Sequence, residues 1–260
     1  MKKAGSLIGF EVKRMLLSKT TATYTGIYFI SFNISAIFFR MMGSDGSVLT
    51  IGNAQSFPIQ HLQASFLFTG IFVAIYVGQI ITQERTQGTI KLPLTRSISR
   101  LEYFMSRVVS IFFFSVFITL LMIVLSYMVG MLFFGWGDNM VFFSLTSGGL
   151  QGILITLLSG LAFAFSYFAF GMIAMVISMF TSRISVNATI MGILLMVGQY
   201  FEVLPSVKQF AVFHQMLFFH IDIFEKPFDY NVISFLVLVV YCVICSIIGY
   251  RIFRKKDLYV

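Results

Sequence analysis

Apolar residues run through this chain in long blocks, and polar ones collect in short intervals between them. A helix needs roughly 20 apolar residues to cross about 30 Å of hydrocarbon. Six blocks meet that requirement, at about 21–39, 62–82, 108–134, 150–180, 185–204 and 231–250. Built as a helix, the fourth would be about 46 Å long at 1.5 Å per residue. That is too long for an upright span, so it is predicted to tilt, protrude or break, with Gly160 and Gly171 as weak points.

Three intervals break the pattern. Residues 1–19 are too polar to span, but Ile8, Val12, Met15 and Leu16 share one helical face. They read as an interfacial helix lying along headgroups, or as a basic tail that only fixes topology. Residues 40–61 read as a polar loop carrying Gly43, Gly46, Gly52 and Pro58. Residues 205–230 are too apolar for a solvated loop and too short between charges for a span, which predicts a re-entrant or interfacial helix.

Composition agrees with the pattern. The chain is 58% hydrophobic and 11% charged, with a mean hydropathy of +0.92, whereas soluble domains carry about 25% charge. No polar block is long enough for a soluble lobe, so residues 1–260 are expected to form a single all-α, polytopic membrane domain. The formal charge of +8 is a topology signal rather than a nucleic-acid footprint. With both termini in the cytoplasm, only Arg40, Lys208 and Lys226 of the 18 Lys and Arg face outward. The acids Asp45, Asp138, Glu202, Asp222, Glu225 and Asp229 run the other way. Cys242 and Cys245 lie in an apolar run, where they say nothing about compartment.

Small residues recur at helix-packing intervals: Gly70, Ala74 and Gly78, then Gly160 and Ala164, then Ala188 and Gly192. They fit close packing inside one bundle or a subunit interface. Polar groups within spans, Asn33, Gln79, Asn187 and Gln199, either line a translocation path or hydrogen-bond between helices. His214 and His220, with Asp222 and Glu225, fit no compact metal spacing, and no metal site is expected. No Gly-Lys pair occurs, so the chain has no phosphate-binding P-loop and no ATPase motif. Leu145–Gln151 echoes an ABC ATPase signature, but it lies at the mouth of span four, where it reads as a chance helix entry.

Charge gathers in one interval, residues 84–107, reading ERTQGTIKLPLTRSISRLEYFMSR. It holds, in order, Glu84, Gly88-Thr89, the apolar run Ile90 to Leu94, Ser99-Arg100 and Arg107. That order resembles the cytoplasmic segment between the second and third spans of ABC-2 type permeases, the membrane subunits of a class of ABC transporters. The family's usual proline before the hydroxyl-arginine pair is Ser97 here, with Pro93 earlier.

The resemblance extends to the plan of an interfacial helix, six spans, inside termini and a semi-buried segment before the last span. It implies a coupling helix within about 88–98, in the coupling region 84–107, that docks on a separate ATPase. Glu84, Gly88, Thr89, Ile90, Leu92, Leu94, Ser99, Arg100 and Arg107 are the residues implied in coupling. An outer gate is expected within 205–230, with Glu202 (a gate group or simply a headgroup-exposed acid), Pro205, Phe210 and Phe213.

The expected protein is then the permease of an exporter of peptides, bacteriocins or antibiotic-like compounds, amphipathic or apolar, in a bacterial cytoplasmic membrane. Its implied partners are two ABC ATPase subunits, which would bind ATP and Mg, a second permease copy or homologous permease, and lipid. The chain itself is expected to be neither an enzyme nor a holder of cofactors. The alternative is a channel or scaffold not driven by ATP.

Overall fold

The computed structural model describes residues 2–88, 98–205 and 207–255. Its described residues are mostly helical, and six helices are long and apolar enough to cross a membrane: Lys19–Gly46, Phe66–Thr86, Arg100–Phe134, Gly149–Ser178, Ile184–Val203 and Phe228–Lys255, here spans 1 to 6. An amino-terminal helix, Lys2–Leu16, precedes them. Two short helices interrupt the series, Phe57–Ala64 before span 2 and Val212–Glu225 before span 6.

Local chemistry sets several ends. Ser18 caps span 1 by accepting from the Thr21 backbone N–H at 3.0 Å, and the α-helical part of that span, Lys19–Met42, ends at Gly43 with φ +70°. Ser99 and Glu102 form a reciprocal capping box at the start of span 3. The third span therefore begins at Arg100, eight residues earlier than the apolar run alone predicts, and takes Arg107 into the helix.

Spans 2, 3 and 4 form the centre. Between half and two thirds of their most apolar windows are buried, against about a fifth for spans 1, 5 and 6. Aromatic rings pack this centre and join span 1 to it: Tyr76 of span 2 stacks on Phe114 of span 3 with centroids 3.9 Å apart, and Tyr24 of span 1 on Phe72 of span 2 at 4.1 Å. The peripheral spans leave apolar side chains such as Ile193, Met196 and Leu236 uncovered, as hydrocarbon surroundings allow.

Span 4 does not break at its glycines. A Cβ on Gly160 would lie 2.5 Å from Ile123 Cδ1, and one on Gly171 2.7 Å from Ile111 Cγ2. Both glycines are points of close helix approach rather than weak points. The small face of span 2 is used within the chain too, since Gly70 meets Leu195 and Gly78 meets Ile184, both on span 5.

The interval before span 2 differs from the polar loop predicted there. Phe57, Ile59 and Leu62 are buried, with Gln60 and His61 beside them, because the loop folds back on its own polar groups. Gln60 Oε1 accepts the Thr50 backbone N–H at 2.6 Å, and its Nε2 donates to the Ile51 carbonyl at 3.2 Å. Between spans 3 and 4, Met140–Phe142 pairs antiparallel with Leu145–Ser147. Leu145–Gln151 is thus a strand and a helix entry.

Candidate functional site

The densest group of buried charge lies where spans 2 and 3 meet the amino-terminal helix. Span 2 loses its α-helical register at Gln79–Gln83, a π-helical turn, a distortion frequent at functional sites. Beyond it, Glu84 and Arg85 face different neighbours.

Glu84 faces span 3. Its Oε2 pairs with Arg107 Nη2 at 2.7 Å and accepts the Tyr103 hydroxyl at 2.8 Å. Its Oε1 pairs with Arg14 Nη1 at 2.6 Å. Arg107 Nη1 also meets Glu11 Oε2 at 2.8 Å, and its guanidinium sits 4.6 Å from the Tyr103 ring centroid. Arg107, Glu11 and Glu84 are 2, 4 and 5% exposed. Such burial costs several kcal/mol per ion unless each is paired. Two carboxylates against two guanidiniums give each charge a counter-ion and tie three helices together, with Arg107 Nη1 meeting Glu11 through charge rather than an aligned hydrogen bond.

Arg85 faces span 4 and donates to the carbonyls of Met179 and Thr181, just beyond its last turn. Thr82 Oγ1 adds a bond to the Ser178 carbonyl at 3.0 Å. Arg100 Nη1 likewise donates to the Arg254 carbonyl at the end of span 6, at 2.8 Å. Helix C-termini carry partial negative charge, which these cations offset. The charged interval therefore braces spans 2, 3, 4 and 6 at one end of the bundle.

Of the residues implied in coupling, the structure brings Glu84 and Arg107 into contact and gives Ser99 and Arg100 the cap and brace just described. Gly88 adopts φ +69°, a conformation suited to glycine. Thr89, Ile90, Leu92 and Leu94 lie outside the described residues, as does most of the expected coupling helix. Glu11, Arg14 and Tyr103 complete the clasp, although none of them belongs to the set implied in coupling. One signal was present: Glu11 is an acid on the face shared by Ile8 and Met15 in an otherwise basic segment. Met15 is buried there, but Leu16 is 47% exposed.

The polar residues within spans do not converge on one path. Asn33 donates to the Phe29 carbonyl of its own helix at 2.7 Å. Gln79 donates to Thr20 Oγ1 at 2.9 Å, and buried Asn187 to the Ala74 carbonyl at 2.9 Å. Gln199 is half-buried at the end of span 5.

Around 205–230, Pro205 and Phe210 are exposed. Phe213 lies almost parallel to Phe201, centroids 6.5 Å apart. Glu202 Oε1 meets His214 Nδ1 at 2.7 Å. Among the described residues, no three of His, Cys, Asp and Glu are placed to hold a metal ion.

Comparison with known proteins adds a family. A 73-residue stretch is 33% identical to "Uncharacterized protein YhcI" of Bacillus subtilis (strain 168), covering 28% of this chain and 23% of that protein. A family profile described as "Protein of unknown function (DUF2705)" matches residues 21–259. Because that match covers nearly the whole chain, the chain belongs to the DUF2705 family.

Proposed function

We propose that the chain is the membrane subunit of an ATP-driven ABC exporter of the ABC-2 type. In this reading it lies in a bacterial cytoplasmic membrane with both termini inside, as one membrane domain. It pairs with a second permease and two ATPase subunits, which bind ATP and Mg. The amino-terminal helix lies along the headgroups, Val212–Glu225 is a re-entrant or interfacial element at the outer gate, and the cargo is amphipathic or apolar.

The observation that carries the reading is the Glu84–Arg107 ion pair. These residues bracket the charged interval, so a force applied to it reaches spans 2 and 3 together, and through Glu11 and Arg14 the amino-terminal helix. An ordinary loop that only meets anionic lipid needs no buried ionic joint between its ends.

Purification from its host tests the reading: an ABC ATPase should copurify, with an ATP turnover that this chain alters. Gly88→Pro cannot keep φ +69°. It should abolish that alteration and transport while insertion is unchanged, and Arg100→Glu should weaken both. A chain that binds no ATPase and changes the activity of none overturns the proposal.

A further inference from the structure

The chain has three histidines, and their surroundings separate them. His61 lies against Phe57 and Phe32, ring centroids 4.3 and 4.5 Å away. His220 stacks on Phe163 at 4.1 Å. Burial pushes both imidazoles down to about 3, so both are neutral over the physiological range. His214 sits among carboxylates instead.

His214 joins three elements at the end of the bundle opposite the ionic clasp. From the helix Val212–Glu225, its Nδ1 meets Glu202 Oε1, beyond the last α-turn of span 5, at 2.7 Å. Its Nε2 meets the Tyr230 hydroxyl, in the first turn of span 6, at 3.1 Å. Asp222 Oδ2 stands 3.6 Å from the same nitrogen, and this buried oxygen has no hydrogen-bond partner. Glu225, which accepts the Ser144 hydroxyl, Lys208 and Lys226 are the other charged groups around the adjoining cleft of about 450 Å³.

We propose that His214 is a proton-operated latch: protonated, it ties the adjoining ends of spans 5 and 6 to the helix between them, and neutral, it releases them. As imidazolium, both ring nitrogens donate, and the ring's charge compensates Asp222. As neutral imidazole, one donor is lost, and a carboxylate that is 6% exposed faces a ring without charge. Leaving a buried charge uncompensated is costly.

Burial pushes the His214 pKa down, but Asp222 and Glu202 together outweigh it, and the net direction is upward from 6.5. A raised folded-state pKa gives stabilisation that is complete below the unfolded value and is lost as pH rises through the folded one. The latch is therefore closed in acid and opens toward alkaline pH. The inference does not depend on ATP-driven export.

Hydrogen exchange of the full chain in lipid nanodiscs tests it, corrected for the intrinsic pH dependence of exchange. Between about pH 6 and about pH 8.5, residues 199–203 and 228–231 should open about tenfold more in the wild type, while span 2 is unmoved. His214→Gln should open those segments at both pH values and abolish the step. Glu202→Gln, which keeps the imidazole, should move the midpoint to lower pH. A wild type without a step, a step that survives His214→Gln, or an unmoved midpoint in Glu202→Gln overturns the latch.

Discussion

The two ends of the bundle are held by different kinds of charge. At one end Arg107 is clamped between Glu11 and Glu84, and a guanidinium stays charged at any pH a cell meets. At the other, an imidazole holds Glu202 and Tyr230 beside Asp222, and an imidazole gains or loses its charge near neutrality. The first joint is fixed and the second adjustable. In the exporter reading, the fixed joint adjoins the interval where force enters, and the adjustable one lies where the cargo would leave.

Arg107→Met should give the largest effect. It leaves Glu11 and Glu84 buried beside one another without their shared cation, which costs about 3–5 kcal/mol. Unfolding in mixed micelles measures the loss. Adding Glu11→Gln and Glu84→Gln should restore most of it, because a neutral buried set needs no counter-charge. If the triple variant is no better than the single one, packing rather than charge holds the clasp.

Gly198→Ala asks how adaptable the opposite end is. Its Cβ would lie 2.2 Å from Phe213 Cγ, so the ring must leave its place beside Phe201. Overpacking of this kind costs about 1–3 kcal/mol, and the same unfolding measurement reads it. A cost at the low end sharpens the contrast between the two ends. A loss as large as that of Arg107→Met would erase it.

How much of this was legible follows from the physics at each site. The six spans are written in apolar run length, which needs no partner to be read. The start of span 3 was missed because it rests on Ser99 and Glu102, a polar cap outside the apolar run. Glu84 and Arg107 stood out as charges at the ends of a charged interval, but what they touch depends on Glu11 and Tyr103. Glu11 lies 73 residues from Glu84, and no local pattern marks that distance. Glu202 stands out as an acid near the end of an apolar run, but its contact with His214, twelve residues on, depends on how the chain turns back between spans 5 and 6, and no local spacing marks it.

Arg14→Ala should have the smallest effect, although Arg14 makes the shortest ion pair of the clasp, 2.6 Å to Glu84. Its side chain is 57% exposed, so water already solvates the guanidinium, and loss of such a pair costs about 0.2–1 kcal/mol. Its neighbour Arg107 contacts the same carboxylate at nearly the same distance from a buried position, so the two losses differ in burial and in the second carboxylate, Glu11, that Arg107 also holds. Salt separates them further. At about 1 M ionic strength the Debye length is about 3 Å, and the Arg14 contribution should vanish while that of Arg107 persists. If both fade together, water reaches the whole cluster, and burial gives the Arg107 pairs no protection that the Arg14 pair lacks.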